Sequence, residues 1–143
     1  MRHLLNVLTG CLLLATAAAS ANPSNQEHEQ AVRNFVAAFN AHDSAAMADF
    51  VAEDVQWLLI DGASIAVEAN GKAALILAMN DYFQSCPTCP SHLTGIISSR
   101  DRVSALEVAK WQGKDGPKSQ RAMAVYEFAG SLIRRVYYFP AEK

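Results

Sequence analysis

The first half of the chain opens with a helical repeat of apolar positions. Between Glu27 and Asn40, apolar residues recur at the spacing of one helix face, at Ala31, Val32, Phe35, Val36 and Phe39. Residues spaced in this way lie on one side of a helix, so the pattern predicts a first helix with a buried face. Asp43 can then cap a short second helix, whose apolar positions are Met47, Phe50 and Val51.

The helical repeat then gives way to the alternation that is typical of a strand. The apolar residues of this strand are Val55, Trp57 and Leu59. The Asp61-Gly62 dipeptide favours a tight hairpin turn, which leads into a return strand over residues 63–68. Asn70 can cap a third helix that ends near Cys86 and has an apolar face made of Leu75, Ile76, Met79, Tyr82 and Phe83.

Four segments rich in β-forming residues follow the third helix. They cover roughly residues 91–99, 103–112, 118–129 and 132–139. Because their connections are short and rich in turn residues, neighbouring strands should pair antiparallel. The predicted order α-α-β-β-α-β-β-β-β indicates an α+β fold, in which a curved antiparallel or mixed sheet wraps around the helices as a single domain.

A different kind of segment precedes this domain. Residues 1–21 contain Arg2, an apolar run from Cys11 to Ala19, and small residues up to Ala21. The run is too short to span a bilayer and small residues suit a cleavage site, so the segment is interpreted as a secretory signal peptide. We expect cleavage after Ala21, which leaves residues 22–143 as one domain. In the alternative interpretation, Cys11 is the lipidated cysteine of a lipoprotein, although the main apolar stretch follows that cysteine.

Charge and hydropathy narrow the class of partner. Without residues 1–21 the chain has 11 basic and 14 acidic residues, a net charge of −3. A mildly acidic chain lacks the basic surface that binds nucleic acid or anionic membranes. No later apolar run reaches the length of a transmembrane helix either. We therefore expect a soluble, exported protein, periplasmic or secreted, that binds neither nucleic acid nor membrane.

Short motifs mark the boundaries between these elements. They are Phe39-Asn-Ala-His-Asp43, Phe50-Val-Ala-Glu-Asp54, Asn70-Gly-Lys and Arg135-Val-Tyr-Tyr-Phe139. Together with the element order, they resemble the nuclear transport factor 2-like superfamily, in its SnoaL-like or ketosteroid-isomerase-like branch. The resemblance covers essentially all of residues 22–143. It implies a cone-shaped fold with an internal pocket, commonly forming a homodimer through the outer face of the sheet.

The resemblance also implies where catalytic groups would lie. Ketosteroid isomerases use a tyrosine on helix one, an aspartate base on strand one and a carboxyl donor on the penultimate strand. Those positions fall on Phe35, on Leu59 and near Ala124. Limonene epoxide hydrolases use an aspartate on the last strand, and that position falls on Val136. None of these side chains transfers a proton, so neither reaction is expected.

The same register implies an apolar pocket. The residues expected to contact a ligand are Phe35, Phe39, Trp57, Leu59, Met79, Phe83, Tyr126, Phe128 and Tyr138. Such a lining favours a hydrophobic or aromatic ligand that is oriented by a few hydroxyl groups. If the interior is closed, the same residues form only a core.

Three residues are candidates for catalysis: Asp61, Glu107 and Tyr126, with His92 and Arg134 as further polar groups. Asp61 also suits a hairpin position before glycine. Alternation leaves open whether Glu107 faces the pocket or a dimer surface, and a solvated strand carboxylate is the commoner case. Tyr126 could donate a hydrogen bond inside the cone or serve as an amphipathic core residue.

Cys86 and Cys89 are the only cysteines after residue 21. An even count in an exported protein favours a disulfide between them, although so small a loop adds little stability. A redox-active pair is disfavoured because Cys86 ends a helix, and active cysteines of this motif lie at helix N-termini. A zinc site with His92 lacks a recognisable fourth ligand, so no metal is predicted.

These patterns together predict an exported, homodimeric α+β protein that binds a small hydrophobic molecule without a cofactor. The alternative is a cyclase, isomerase or hydrolase that acts on a hydrophobic cyclic substrate through Asp61, Glu107 or Tyr126. That alternative requires at least one carboxylate inside the cone with access to solvent.

Overall fold

A computed structural model describes residues 23–141. The predicted signal peptide with its cleavage after Ala21, and the alternative lipidation of Cys11, lie outside the described residues. The elements follow the predicted order, which confirms the α+β fold. They are α1 (Asn25–Asn40), α2 (Ser44–Ala48), β1 (Val51–Asp61), β2 (Ser64–Asn70), α3 (Lys72–Ser85), β3 (Ser91–Ser99), β4 (Arg102–Gly113), β5 (Gly116–Ala129) and β6 (Leu132–Phe139).

All six strands form one mixed sheet in the order β2-β1-β6-β5-β4-β3. β1 and β6 are parallel, and all other neighbours are antiparallel. The pairing register shifts between Trp57 and Leu58, and again between Leu93 and Gly95. Because such irregularities bend and twist a sheet, the strands curve around α1 and α3 in the expected cone.

α1 begins two residues earlier than its apolar repeat predicts. The Ser24 hydroxyl accepts a hydrogen bond from the backbone N–H of Glu27, and the Glu27 carboxylate accepts one from the backbone N–H of Ser24. This capping box satisfies two backbone donors that would otherwise lack partners at the start of the helix.

The first turns of α1 are fixed by His28, which is buried. Its Nδ1 and Nε2 atoms lie 3.1 Å and 2.9 Å from the carbonyl oxygens of Arg100 and Gly130. Its ring stacks on Phe128 with 4.1 Å between centroids. The core is therefore tightly filled at this end of α1.

The start of α3 differs from the prediction. Asn70 does not cap the helix; it ends β2, where its Oδ1 accepts a 3.4 Å hydrogen bond from Gln56 Nε2. Gly71 takes the N-cap position with a φ of +94° and donates a 2.7 Å hydrogen bond to the carbonyl of Val55. The contact between Asn70 and Gln56 of the neighbouring strand thus extends β2 through Asn70, so α3 begins after Gly71. Glycine readily adopts the positive φ that this N-cap position has here.

Cys86 and Cys89 form a disulfide between α3 and β3, with Cα atoms 5.6 Å apart. This confirms the predicted pairing. None of the helices described here is long and apolar enough to cross a membrane.

Candidate functional site

A cavity of about 280 Å³ lies between the inner face of the sheet and helices α1 and α3. Three of its wall positions are alanines, and these leave space that larger side chains would fill: Ala69, Ala78 and Ala109. Two of the lining residues, Glu68 of β2 and Tyr82 of α3, are exposed. They mark the side on which the cavity meets solvent.

Aromatic rings form a connected wall along the cavity. The ring of Phe35 lies 6.4 Å from that of Trp57 and 6.1 Å from that of Tyr126, measured between centroids. Trp57 in turn lies 5.8 Å from Tyr138. These separations are typical of interacting aromatic pairs, so the wall is both apolar and well packed.

Glu107 is the polar centre of this wall. The residue is only 7% exposed and its side chain lines the cavity. The Tyr126 hydroxyl donates a 2.5 Å hydrogen bond to Oε1, and the Ser91 hydroxyl donates a 3.0 Å hydrogen bond to Oε2. The ion pairs found among residues 23–141 do not include Glu107. Its carboxyl is therefore held by neutral donors alone.

This environment changes the proton affinity of the site. Burial raises the pKa of Glu107 above its ordinary value, while the hydrogen bonds from Tyr126 and Ser91 lower it by a smaller amount. Burial, reinforced by the nearby Glu107 charge, also raises the pKa of Tyr126 and brings that of Tyr138 to about 12. Both tyrosines thus stay neutral donors, and Glu107 is the inner group that can change protonation.

Ser91 is itself held in place by Asn40, the last residue of α1. The Asn40 amide donates from Nδ2 to the Ser91 carbonyl and accepts at Oδ1 from the Ser91 N–H, both at 2.8 Å. Only Pro90 separates the disulfide from Ser91, and Cys89 also lines the cavity. The end of α1 and the disulfide loop therefore flank the hydroxyl that contacts Glu107.

The profile of the SnoaL-like domain family matches residues 32–136 of this chain. The protein belongs to this family. No curated protein matches the sequence significantly.

Solved structures share the fold of this SnoaL-like protein at low sequence identity. An uncharacterized cystatin-fold protein from Novosphingobium aromaticivorans is 18% identical, with a TM-score of 0.67 over 78% of this chain and 96% of that one. AclR from Streptomyces galilaeus, a proposed hydroxylase, is 14% identical, with a TM-score of 0.66 over 80% and 79%. A proposed polyketide cyclase from Xanthomonas campestris pv. campestris is 22% identical, with a TM-score of 0.56 over 80% and 90%.

Most of the residues predicted to contact a ligand do line the cavity of this SnoaL-like domain. They are Phe35, Phe39, Trp57, Met79, Tyr126 and Tyr138. The remaining three, Leu59, Phe83 and Phe128, lie outside the lining. Leu59 follows the register shift after Trp57, Phe83 packs against Phe39 and His42, and Phe128 stacks on His28.

The catalytic candidates are separated by the fold. Glu107 and Tyr126 come together on adjacent strands, while Asp61 is exposed at the β1–β2 turn, before Gly62 with its φ of +59°. His92 is exposed on β3 and does not line the cavity. Arg134 pairs with the exposed Asp54 at 3.1 Å.

The polar residues missed by sequence reasoning are Ser91 and Glu68. Neither belongs to a recognisable motif. Glu68 lies on β2 and Ser91 on β3, and each lines the cavity because its strand, at an edge of the sheet, folds beside it. Alternation gave a partial signal, because it placed Ala109 on the same strand face as Glu107. That face proves to be the inner one.

Replacement of Glu107 with glutamine should alter how the free energy of unfolding depends on pH. Because the folded-state pKa is raised, the stabilising contribution of the wild-type carboxyl is complete below the unfolded-state pKa. It is lost as pH rises through the folded-state pKa. Glutamine cannot ionise, so the variant should gain stability relative to the wild type as pH rises from about 4 to about 8 in urea unfolding.

The matched control is Glu68→Gln, which changes an exposed carboxylate at the rim of the same cavity. It should follow the wild-type pH course. Parallel courses for wild type and Glu107→Gln would contradict the burial of an ionisable Glu107.

Proposed function

We propose that this protein binds a small, largely apolar molecule with an aromatic or fused-ring body inside the cavity. The observation that carries the proposal is the distribution of polarity along the lining. Aromatic and aliphatic walls surround most of the space, whereas the polar atoms of Glu107, Tyr126 and Ser91 gather at one end. A ring system would pack between the walls, and one polar group would be oriented at that end.

A tryptophan at Ala78 should block this cavity. Ala78 lines it from α3, whereas Ala73 on the same helix is exposed and provides a matched control. With 2-naphthylmethanol as a neutral fused-ring probe, calorimetry should show binding that is at least about tenfold weaker in Ala78→Trp, because the indole occupies the space of the ligand. Ala73→Trp should bind as the wild type does.

Circular dichroism would establish that both variants are folded. Equal binding by Ala78→Trp and Ala73→Trp would place the probe elsewhere on the protein. Failure of the wild type to bind this alcohol and also its charged analogues, 2-naphthylmethylamine and 2-naphthoate, would overturn the proposed function.

A second candidate function is proton transfer at a carbon next to a carbonyl group. It is supported by a buried carboxyl with a raised pKa that faces the cavity beside a neutral tyrosine. In this candidate the ionised Glu107 takes the carbon-bound proton, and the electron pair of that bond forms an enolate. As Glu107 takes up the proton, the Tyr126 hydroxyl gives up its hydrogen bond to that carboxylate and donates to the enolate oxygen instead. The inner carboxylate that the enzyme alternative requires is thus available as Glu107, whereas Asp61 is not.

Deuterium exchange would test this candidate without knowledge of the natural substrate. With 2-tetralone in D₂O, the wild type should catalyse loss of the proton signal next to the carbonyl, followed by NMR. Glu107→Gln should lower the rate by at least about a hundredfold, because the amide is not a base. Asp61→Asn, which changes the exposed turn residue, should have no effect. If the wild type exchanges the protons of 2-tetralone no faster than buffer does, proton transfer on cyclic ketones of this class is excluded.

The outer face of the sheet offers a separate surface. A row of paired residues crosses all six strands there: Val67, Leu58, Tyr137, Val125, Ser104 and Ile97. At its ends, Val67 is 56% and Ile97 is 76% exposed. Beside this row, Glu127 pairs with Arg135 at 2.7 Å and with Arg102 at 3.1 Å. These charges are already compensated within the chain, so the row offers contact area more than a charged recognition site.

We propose that a second copy of the chain covers this row, and that the protein is exported after removal of residues 1–21. A two-fold axis through the sheet face would bring this largely apolar row against an identical row, and two-fold symmetry is the commonest symmetry of homodimers. The Cys86–Cys89 disulfide supports export, because such bonds persist in oxidising compartments.

Native mass spectrometry of the protein secreted by a bacterial host would test both points. We expect dimers of residues 22–143, with each chain two hydrogens lighter than its reduced form. Val125→Glu should yield monomers because it places charge in the row, whereas Gln120→Glu at the exposed end of β5 should not. A monomeric wild type, or retention of residues 1–21, would contradict the respective proposal.

A further inference from the structure

The ionisable groups that line the cavity have one sign. Among residues 23–141, the sixteen that line the cavity include two carboxylates, Glu107 and Glu68, and no lysine, arginine or histidine. An anion that entered would be buried beside Glu107 without a compensating charge, which is costly in a medium of low dielectric constant. The lining therefore selects against acidic ligands.

Apart from the indole of Trp57, the other polar side chains of the lining carry hydroxyls, and they come from several elements of the fold. Facing Glu107 are Tyr126 of β5, Tyr138 of β6 and Ser91 of β3, with Tyr82 of α3 on the solvent side. Helix α1 presents only aromatic and aliphatic residues to the cavity. Within the described part of the chain, no element thus supplies a cation to this carboxyl.

The aromatic wall adds a second preference. Six aromatic side chains line the cavity: Phe35, Phe39, Trp57, Tyr82, Tyr126 and Tyr138. The faces of such rings carry partial negative charge and attract organic cations, most strongly where water is excluded. A carboxyl without a counter-ion and a set of aromatic rings therefore favour the same kind of ligand group.

We propose that the ligand of this cavity is an organic cation, an aromatic or cyclic body bearing a protonated or quaternary amine that lies beside Glu107 and within the aromatic wall. This inference rests on the proposed ligand-binding function and adds the charge class of the ligand. The amine supplies the counter-ion that the protein does not, and the ring body fills the apolar space. A neutral molecule would gain only the apolar contacts of its ring body.

Cation binding has a consequence for protonation. Burial favours the protonated form of Glu107 in the empty cavity, and a cation beside it favours the ionised form. Binding of the amine should therefore release protons to the solution, whereas binding of a matched neutral molecule should release none. A ligand held only by apolar contact would not show this difference.

Three naphthalene derivatives of similar size test the proposal: 2-naphthylmethylamine as the cation, 2-naphthylmethanol as the neutral form and 2-naphthoate as the anion. By calorimetry near neutral pH, the amine should bind at least about tenfold more tightly than the alcohol. The carboxylate should bind at least about tenfold more weakly than the alcohol. Titrations in two buffers of different ionisation enthalpy should reveal proton release for the amine alone.

Variants distinguish the effect of the Glu107 carboxyl on cation binding from the general attraction of a cation to an acidic protein. Glu107→Gln keeps the shape of the side chain, so it should retain alcohol binding but reduce the advantage of the amine to less than about threefold. Asp61→Asn, which removes an exposed carboxylate outside the cavity lining, should leave that advantage unchanged. A rise in salt should leave most of it, because salt screens surface charges far more than buried ones.

The outcomes distinguish this inference from the function on which it rests. If the wild type binds the alcohol as tightly as the amine, or if Glu107→Gln keeps the full preference, the cation inference is wrong while ligand binding stands. If none of the three compounds binds, the proposed function itself fails.

Discussion

The contact between the apolar face of α1 and the inner face of the sheet is the constraint on which the rest of the structure depends. At one end, Val32 and the stacked pair of His28 and Phe128 fill the space between helix and strands. Towards the other end, Phe35 and Phe39 meet walls that include several alanines. The same helix thus closes the core at its beginning and leaves a cavity towards its end.

The position of Glu107 gives this cavity its chemical character. A carboxyl that is buried among rings and held only by neutral hydroxyls is poorly compensated when it is ionised. Its hydrogen bond to Ser91 connects it with the Asn40 amide and with the disulfide loop, whose Cys89 also lines the cavity. The fold therefore holds the Glu107 carboxyl in place through Ser91, which is itself fixed by the end of α1.

Local patterns predicted the elements well because each pattern reflects a local physical cause. Alternation and turn residues gave β3 and β6 with their observed bounds, Ser91–Ser99 and Leu132–Phe139. The helical repeat gave α1 but not its start, which depends on the Ser24 capping box. Asn70 failed as a cap because a hydrogen bond from β1 extends β2 through that position. Boundaries of this kind depend on a partner strand that local sequence does not specify.

The sequence by itself determined the α+β class, the order of elements, the disulfide and the aromatic character of the interior, because periodicity and residue type act over a few neighbouring positions. Only the tertiary structure decided which residues share the cavity. The parallel pairing of β1 with β6 and the register shift after Trp57 set which side chains reach it, and Leu59 does not. The antiparallel pairing of β3 with β4 brings the Ser91 hydroxyl to Glu107, whose carboxylate faces the cavity. Burial and hydrogen bonding between distant segments are properties of their arrangement in space, and these properties define the site.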